Sequence, residues 1–335
     1  MKNEILSIVI PTVKYSKYID KTLKSCIEHN LSDSFEIIVS VNNSSFEEFE
    51  NCKYFNNKFI TWKCLHEETI PMDESINRAL EFATCDWVFI LSDDDCISNK
   101  FLEGIDLNRL SINSLYATRI NIIDEKDQIV SVGKKYGKGV YSADEAMDLF
   151  FRKNIHNHIS LLVFNKKLLE KTGKFKIQGY PNGYYIDTVF HGKALANCDY
   201  LYTADNIVFS RRESSTQGSS KFYFDKEVND YFNIIVDAYF EDENFKKEAL
   251  KRYGSREAFY TKMIQDRFYT EWSKLNKPVY NKSLKKKLEF LYKHLRYWNT
   301  GIGFKFYSFI YILKFELVKI LPQSVKNKIK KLLGR

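Results

Sequence analysis

The sequence predicts an α/β fold with a mostly parallel sheet flanked by helices, followed by a helical C-terminal region. Short apolar runs alternate with helical patterns through the first third, the signature of strand–helix–strand units. A second block, roughly Ser142–Thr216, mixes helices with a further strand. After Gly218–Ser220 the composition turns helical, aromatic and increasingly basic, and strand-like alternation is lost. These shifts divide the chain into a main domain over residues 1–220, with halves 1–110 and 111–220, and a C-terminal region over 221–335.

Each element has a local reason. Ile5–Pro11, Glu36–Val41, Phe59–Leu65 and Trp87–Leu91 are short, mostly apolar runs of strand length. Between them, Lys17–His29 places Ile19, Leu23, Cys26 and Ile27 on one face, and Asp73–Ala83 does the same with Ile76, Leu80 and Ala83, so both read as crossover helices. Ser114–Ile123 reads as another strand, and Lys134–Tyr141, with Gly137 and Gly139, as a loop or hairpin. The second block is expected to hold a helix near Ala143–Phe151, a strand at Ile159–Phe164, a short helix from Lys166, a loop around Gly179–Gly183 and a helix across Tyr185–Ala196.

At 335 residues the chain can bury a sizeable core, and 44% hydrophobic with 28% charged residues is ordinary for a globular protein. The net charge of +8 is local. Between Tyr280 and Arg335 there are 14 Lys or Arg and two acids, Glu289 and Glu316, whereas residues 1–279 carry a net charge of −4. A slightly acidic body argues against a nucleic-acid reader built into the main fold. The six cysteines form no C-x-x-C pair, so neither zinc nor a disulfide framework is indicated, and a reducing compartment fits. The apolar run Ile5–Ile10 is too brief for a signal-peptide core. Phe304–Leu321 is interrupted by Lys305, Lys314, Glu316 and Lys319, which opposes a transmembrane helix. Its amphipathic pattern, followed by Lys326, Lys328, Lys330, Lys331 and Arg335, suits the surface of an anionic membrane, or else packing on the protein's own core.

The sharpest chemical signal is the run Trp87–Ser92 leading straight into Asp93, Asp94 and Asp95. In a parallel sheet the carboxyl ends of strands open onto the ligand crevice. Three adjacent carboxylates repel one another unless a hard cation or hydrogen bonds offset them, and an oxygen donor set selects Mg²⁺ or Mn²⁺, which would in turn hold a diphosphate. The competing reading is an acidic turn that caps a helix at Asn99–Asp106.

The order Leu6-Ser-Ile-Val-Ile-Pro-Thr12, then Glu36-Ile-Ile-Val-Ser40, then Asn77 and Ala83-Thr-Cys-Asp-Trp-Val-Phe-Ile-Leu-Ser-Asp-Asp-Asp95 resembles the family 2 glycosyltransferases over about residues 4–220. The resemblance implies a GT-A-like, Rossmann-like fold, a nucleotide-diphosphate sugar donor, a divalent metal and inversion at the anomeric carbon. By the same resemblance Pro11 and Thr12 lie beside the base and ribose, Asp93 faces the ribose, and Asp94, with Asp95, binds the metal. Where the family places an Asp for the base, this chain has Asn42 and Asn43, whose amides offer both donor and acceptor. Asn77 matches the family's Asn in the helix before the acidic strand. Asp187, in Gly183-Tyr-Tyr-Ile-Asp187, matches the catalytic base of the acceptor half, against the alternative of an acid that merely favours a helix N-terminus. In Phe209-Ser-Arg211-Arg212-Glu213, the two arginines match phosphate-binding positions, and Glu213 stands where His is common and would complete the metal shell. His156 and His158 read as polar pocket lining and not as a zinc site.

The expected activity is therefore transfer of a sugar, from a UDP-sugar in the first instance, to a hydroxyl of a glycan or lipid-linked acceptor in bacterial surface polysaccharide synthesis. The expected location is the cytoplasm, peripheral to the inner face of the membrane, with no nucleic-acid partner. A sugar-phosphate nucleotidyltransferase would carry a Gly-rich loop after the first strand, and Pro11–Lys17 contains no glycine. A non-catalytic membrane-binding protein would leave the acidic cluster without a role.

Overall fold

The computed structural model describes residues 6–28, 35–43, 45–64, 68–99, 101, 105–107, 110–137, 139–155, 157–180, 185–212 and 232–275, apart from the side chains of 204–206 and 268–275. Glu213, His156, Gly183 and the basic amphipathic tail lie outside these residues.

The chain order is β1 (Leu6–Thr12), α1 (Ile19–Glu28), β2 (Phe35–Val41), β3 (Ile60–Cys64), α2 (Met72–Glu81), β4 (Trp87–Ile90), β5 (Cys96–Ile97), β6 (Leu115–Ile123), β7 (Ile129–Ser131), β8 (Val140–Ser142), α3 (Ala143–Phe151), β9 (Leu162–Asn165), α4 (Leu168–Thr172), α5 (Ile186–Ala196), β10 (Tyr200–Arg211), α6 (Phe232–Phe240), α7 (Glu243–Tyr253) and α8 (Arg256–Leu275). Among the described residues one sheet runs in the order β3-β2-β1-β4-β9-β6-β10-β5, with β7 on β6 and β8 on β10. Pairings β1–β2, β2–β3, β1–β4 and β6–β10 are parallel, and β9 enters antiparallel between β4 and β6. The sheet is thus mixed and mostly parallel, as the alternating pattern predicts.

Strands sandwiched between helices must be apolar on both faces. Six of the seven residues of β1 and all four of β4 are buried. Ile19, Leu23 and Cys26 of α1 join the core cluster with Ile8, Ile37, Phe89, Phe101 and Val208. The predicted faces of α1 and α2 are the buried ones, with Ile76 and Leu80 inward on α2. Helix α3 starts at a capping box, in which the Ser142 hydroxyl accepts from the Glu145 amide and the Glu145 carboxylate accepts from the Ser142 amide.

Two departures from expectation lie beside the acidic turn. The expected strand Ile159–Phe164 begins as a 3-10 turn, because His158 caps it by accepting the Ser160 amide, and only Leu162–Asn165 pairs as a strand. The twelve-residue β10 is unheralded in the sequence, since the polar stretch around Asp205 and Asn206 breaks its alternation where the register shifts between Thr203 and Ile207.

The described residues fall into two compact units, one reaching to Arg212 and also taking Asn233–Arg256, the other holding Phe232 and Glu257–Leu275. Asn233–Arg256 thus packs within the first unit. Tyr239 and Phe245 stack at 4.5 Å, and Phe245 meets Phe150 of α3 edge-on at 6.0 Å. Gly192 of α5 is required there: a Cβ would stand 2.7 Å from Tyr239 Cε1 and 3.0 Å from Phe245 Cε2. This close approach seats α5, the helix that carries Asp187. No described helix is long and apolar enough to cross a membrane.

Candidate active site

The sheet order reverses at β1, which pairs with β2 on one side and β4 on the other, and ligand crevices form at such switch points. Parallel register from Leu6–Trp87 to Val9–Ile90, and up to Thr12–Val41 on the other side, brings the ends of all three strands to one edge. Thr12, Asn42 and the Ser92–Asp95 turn emerge there. They border a cavity of about 610 Å³ lined by Pro11, Thr12, Asn42, Ile76, Asp93 and Asp94, with Lys14 and Lys17 from the β1–α1 loop. Small-molecule pockets span roughly 300–1,000 Å³.

The three aspartates diverge, each held by a different partner. Asp93 accepts the Thr12 hydroxyl at 2.5 Å, and its carbonyl accepts Thr22 Oγ1 at 3.0 Å. Burial pushes its carboxyl up to about 6, with Asp94 and Asp95 adding and the Thr12 bond opposing. Asp94 accepts Ser92 Oγ at 2.8 Å and borders the cavity. Asp95 turns inward and is 1% exposed. Its oxygens accept the Arg211 amide at 3.0 Å and the Ser160 hydroxyl at 3.1 Å. Burial raises the Asp95 carboxyl well above the usual range, and these donors oppose the rise.

His158 completes this layer. Its Nδ1 accepts the Ser160 amide at 3.2 Å, which leaves the ring proton on Nε2, 3.0 Å from Ser210 Oγ and 3.5 Å from Asp95 Oδ2. Burial lowers the His158 pKa; the carboxylates of Asp187 and Asp94 oppose that, and Arg212 adds to it. Asp94 and Asp187 thus both act on one neutral ring. Asp187 stands in the first turn of α5, which the chain enters through Tyr185 at φ 70°. Its Oδ1 accepts the Thr188 amide at 2.7 Å and hydroxyl at 3.2 Å.

Residues 7–171 match the family model described as Glycosyl transferase family 2. These residues belong to this family. Among solved structures the glycosyltransferase is similar to S. aureus TarS 1–349 in complex with UDP-GlcNAc, with a TM-score of 0.53 and 14% identity over 86% of this chain and 79% of that one. The complex of the same protein with UDP gives 0.53 and 15% over 86% and 78%, and TarS 1–349 alone gives 0.51 and 14% over 81% and 79%. This likeness shows the GT-A-like fold. No curated protein matches the sequence.

The structure sorts the sequence-derived site residues of the glycosyltransferase into two groups. Pro11, Thr12, Asn42, Asp93 and Asp94 meet at the cavity. Asn42 lines it with its amide already engaged, since Nδ2 donates to the Ile70 carbonyl at 2.8 Å and Oδ1 accepts the Ile70 amide at 3.0 Å. Asn77 makes the same reciprocal pair with Phe175, at 3.0 Å each way, away from the cavity lining. Both asparagines act like strand partners for an irregular segment. Asn43 is half-buried, and its carbonyl accepts the Cys64 thiol. Asp95 is an interior anchor between the acidic turn and β10, leaving Asp93 and Asp94 as the open side of the triplet. Arg211 also faces inward and does not line the cavity, whereas Arg212 is exposed.

Sequence reasoning missed Ser160, Ser210, Tyr18, Asp127 and the two cavity lysines. Lys14 and Lys17 follow the Pro-Thr that ends β1, which is a readable signal. Nothing in the sequence pairs Asp127 or Ser210 with the acidic turn.

A divalent cation fits the donor set. Among the described residues no three His, Cys, Asp or Glu side chains converge. Mg²⁺ commonly takes only one or two carboxylates together with substrate phosphate oxygens, and Asp94 offers such a ligand at the cavity.

Proposed function

We propose that the glycosyltransferase moves a sugar from a UDP-sugar to a hydroxyl of a glycan or lipid-linked acceptor, with inversion at the anomeric carbon. The observation that carries this reading is the cavity at the β1–β4 switch point, with an apolar wall of Ile70, Ile76 and Ile90 and an acidic rim of Asp93 and Asp94. Such a pocket suits a flat base joined to a hydroxylated, anionic group. A protein of the same fold, S. aureus TarS, is known in complex with UDP-GlcNAc.

In this reading Thr12 orients Asp93 to accept ribose hydroxyls, and the Asn42 clamp fixes the backbone of Ile70 against the base. Lys14 and Lys17 supply positive charge at the same rim. Asp94, with Glu213 as a second carboxylate, would hold Mg²⁺ or Mn²⁺. Bound there, the cation would neutralise charge developing on the departing diphosphate. Asp187 takes the proton of the acceptor hydroxyl while that oxygen bonds to the anomeric carbon and the carbon–phosphate oxygen bond breaks. His158 keeps its Nε2 proton on Ser210 and leaves the base role to Asp187. The basic tail would hold the enzyme at the inner membrane face, where a lipid-linked acceptor in surface polysaccharide synthesis is presented.

Titrating UDP with and without Mn²⁺ tests the donor half. Asp94→Asn is expected to remove the Mn²⁺-dependent part of UDP binding and to cut transfer by about a hundredfold or more, of the order seen when an oriented electrostatic contact is lost. Asp187→Asn is expected to suppress transfer while sparing UDP binding. Full transfer by Asp187→Asn would assign the base elsewhere, and unchanged UDP binding by Asp94→Asn would remove the metal from the reading.

A further inference from the structure

Arg211 is the most heavily engaged side chain behind the acidic turn. Its Nε donates to the carbonyl of Asp94 at 3.1 Å, and Nη1 donates to the carbonyl of Asp124 at 2.9 Å. Nη1 also pairs with the Asp127 carboxylate at 2.5 Å, and the guanidinium lies 4.3 Å from the centroid of the Tyr18 ring. The side chain is fully buried. Tyr18 itself walls the cavity, so the guanidinium stacks behind a wall residue and does not face the cavity.

The far end of this contact is built with care. Asp127 sits in the β6–β7 turn at φ 64°, a left-handed backbone uncommon for a residue other than glycine. Such conformations persist where surrounding contacts over-determine them. Here the Asp124 carboxylate accepts the amides of Lys126 and Gln128, and the Asp127 amide donates to the Asp124 carbonyl. The Asp127 carboxylate also pairs with Lys21 of α1 at 2.5 Å. The β6–β7 turn therefore holds the guanidinium from the outside, α1 holds Asp127 through Lys21, and Nε is left to grip the main chain of Asp94, with Nη2 making no hydrogen bond among the described residues.

We infer that Arg211 is a positioning residue that fixes the Asp94 peptide from behind, so that the Asp94 carboxylate, tied in front to Ser92, faces the donor diphosphate. The inference rests on the reading of Asp94 given above. A peptide held by its carbonyl on one side and by its side chain on the other cannot rotate without breaking one of the two bonds. Only a planar fork reaches two carbonyls and a carboxylate together, and lysine, a point charge, would satisfy one of them.

Calorimetric titration of the full chain with UDP and, separately, with uridine, each in Mn²⁺, tests this without relying on turnover. Arg211→Lys is expected to weaken UDP about tenfold and to leave uridine unchanged, because only the diphosphate end depends on Asp94. Asp127→Asn, which keeps the side-chain shape and removes the ion pairs to Arg211 and Lys21, is expected to shift UDP in the same direction by a smaller factor, and serves if the first variant does not fold. Equal weakening of UDP and uridine would mean a general structural role and overturn the inference, as would unchanged UDP affinity in both variants. Asp94→Asn in the same titration separates the two failures: if it loses Mn²⁺-dependent UDP affinity while Arg211→Lys does not, the inference falls alone, and if it loses nothing, both readings fall.

Discussion

Replacing His191 tests the electrostatics of α5. This residue is 1% exposed, and its Nδ1 has no hydrogen-bond partner among the described residues. Burial, with the neighbouring His158 adding, lowers its pKa from the ordinary 6.5 to about 3. The sign follows from proton counting: below pH 6.5 the unfolded chain takes up a proton that the folded chain refuses until about pH 3. The stability tied to neutral His191 is fully present above pH 6.5 and is lost as pH falls through that window. One proton corresponds to about 1.4 kcal/mol per pH unit, so at pH 5 the loss is about 2 kcal/mol. His191→Gln removes the titration and keeps a polar group, so its expected effect is a shallower acid limb with little change at pH 8. His191→Leu also removes the unpartnered nitrogen and is expected to add about 1–3 kcal/mol at every pH. Urea unfolding of the three proteins at pH 8, 6.5 and 5 measures both effects. Because His158 is also lowered and is retained in all three, it cancels from the comparison. Parallel loss of stability in wild type and His191→Gln between pH 8 and 5 would refute the reasoning.

Asn42→Ala leaves the Ile70 amide and carbonyl without their partners. The expected cost is about 1–3 kcal/mol of stability, together with weaker UDP binding through a loosened base wall. Thermal melts and UDP titration check both, and unchanged UDP affinity would show that the clamp does not shape the cavity. Deleting residues 300–335 is expected to release the protein from anionic liposomes, since each basic residue near such a surface contributes about 1 kcal/mol. Unchanged co-sedimentation would place the membrane contact elsewhere.

The legibility of the site follows the range of the interactions involved. Thr12, Asp93 and Asp94 follow apolar strands, and strand ends in a parallel sheet point to the crevice whatever the rest of the chain does. The same local logic exposed the buried faces of α1 and α2. Asp95 and Arg211 look like their neighbours in sequence, yet they face inward. Their direction depends on Ser160, Ser210 and Asp127, which lie 65, 115 and 32 residues away from Asp95 along the chain. No periodicity carries such information.

The sequence by itself determined the strand–helix order through β4, the acidic turn that follows it and the basic character of the tail, because hydrophobic periodicity and charge are properties of neighbouring residues. Only the tertiary structure decided which aspartates meet the cavity, that Asn42 and Asn77 spend their amides on backbone, and that β10 lies between β6 and β5. Those outcomes depend on which donors remain unpaired once distant segments are packed together, and in a buried layer most such groups take a partner.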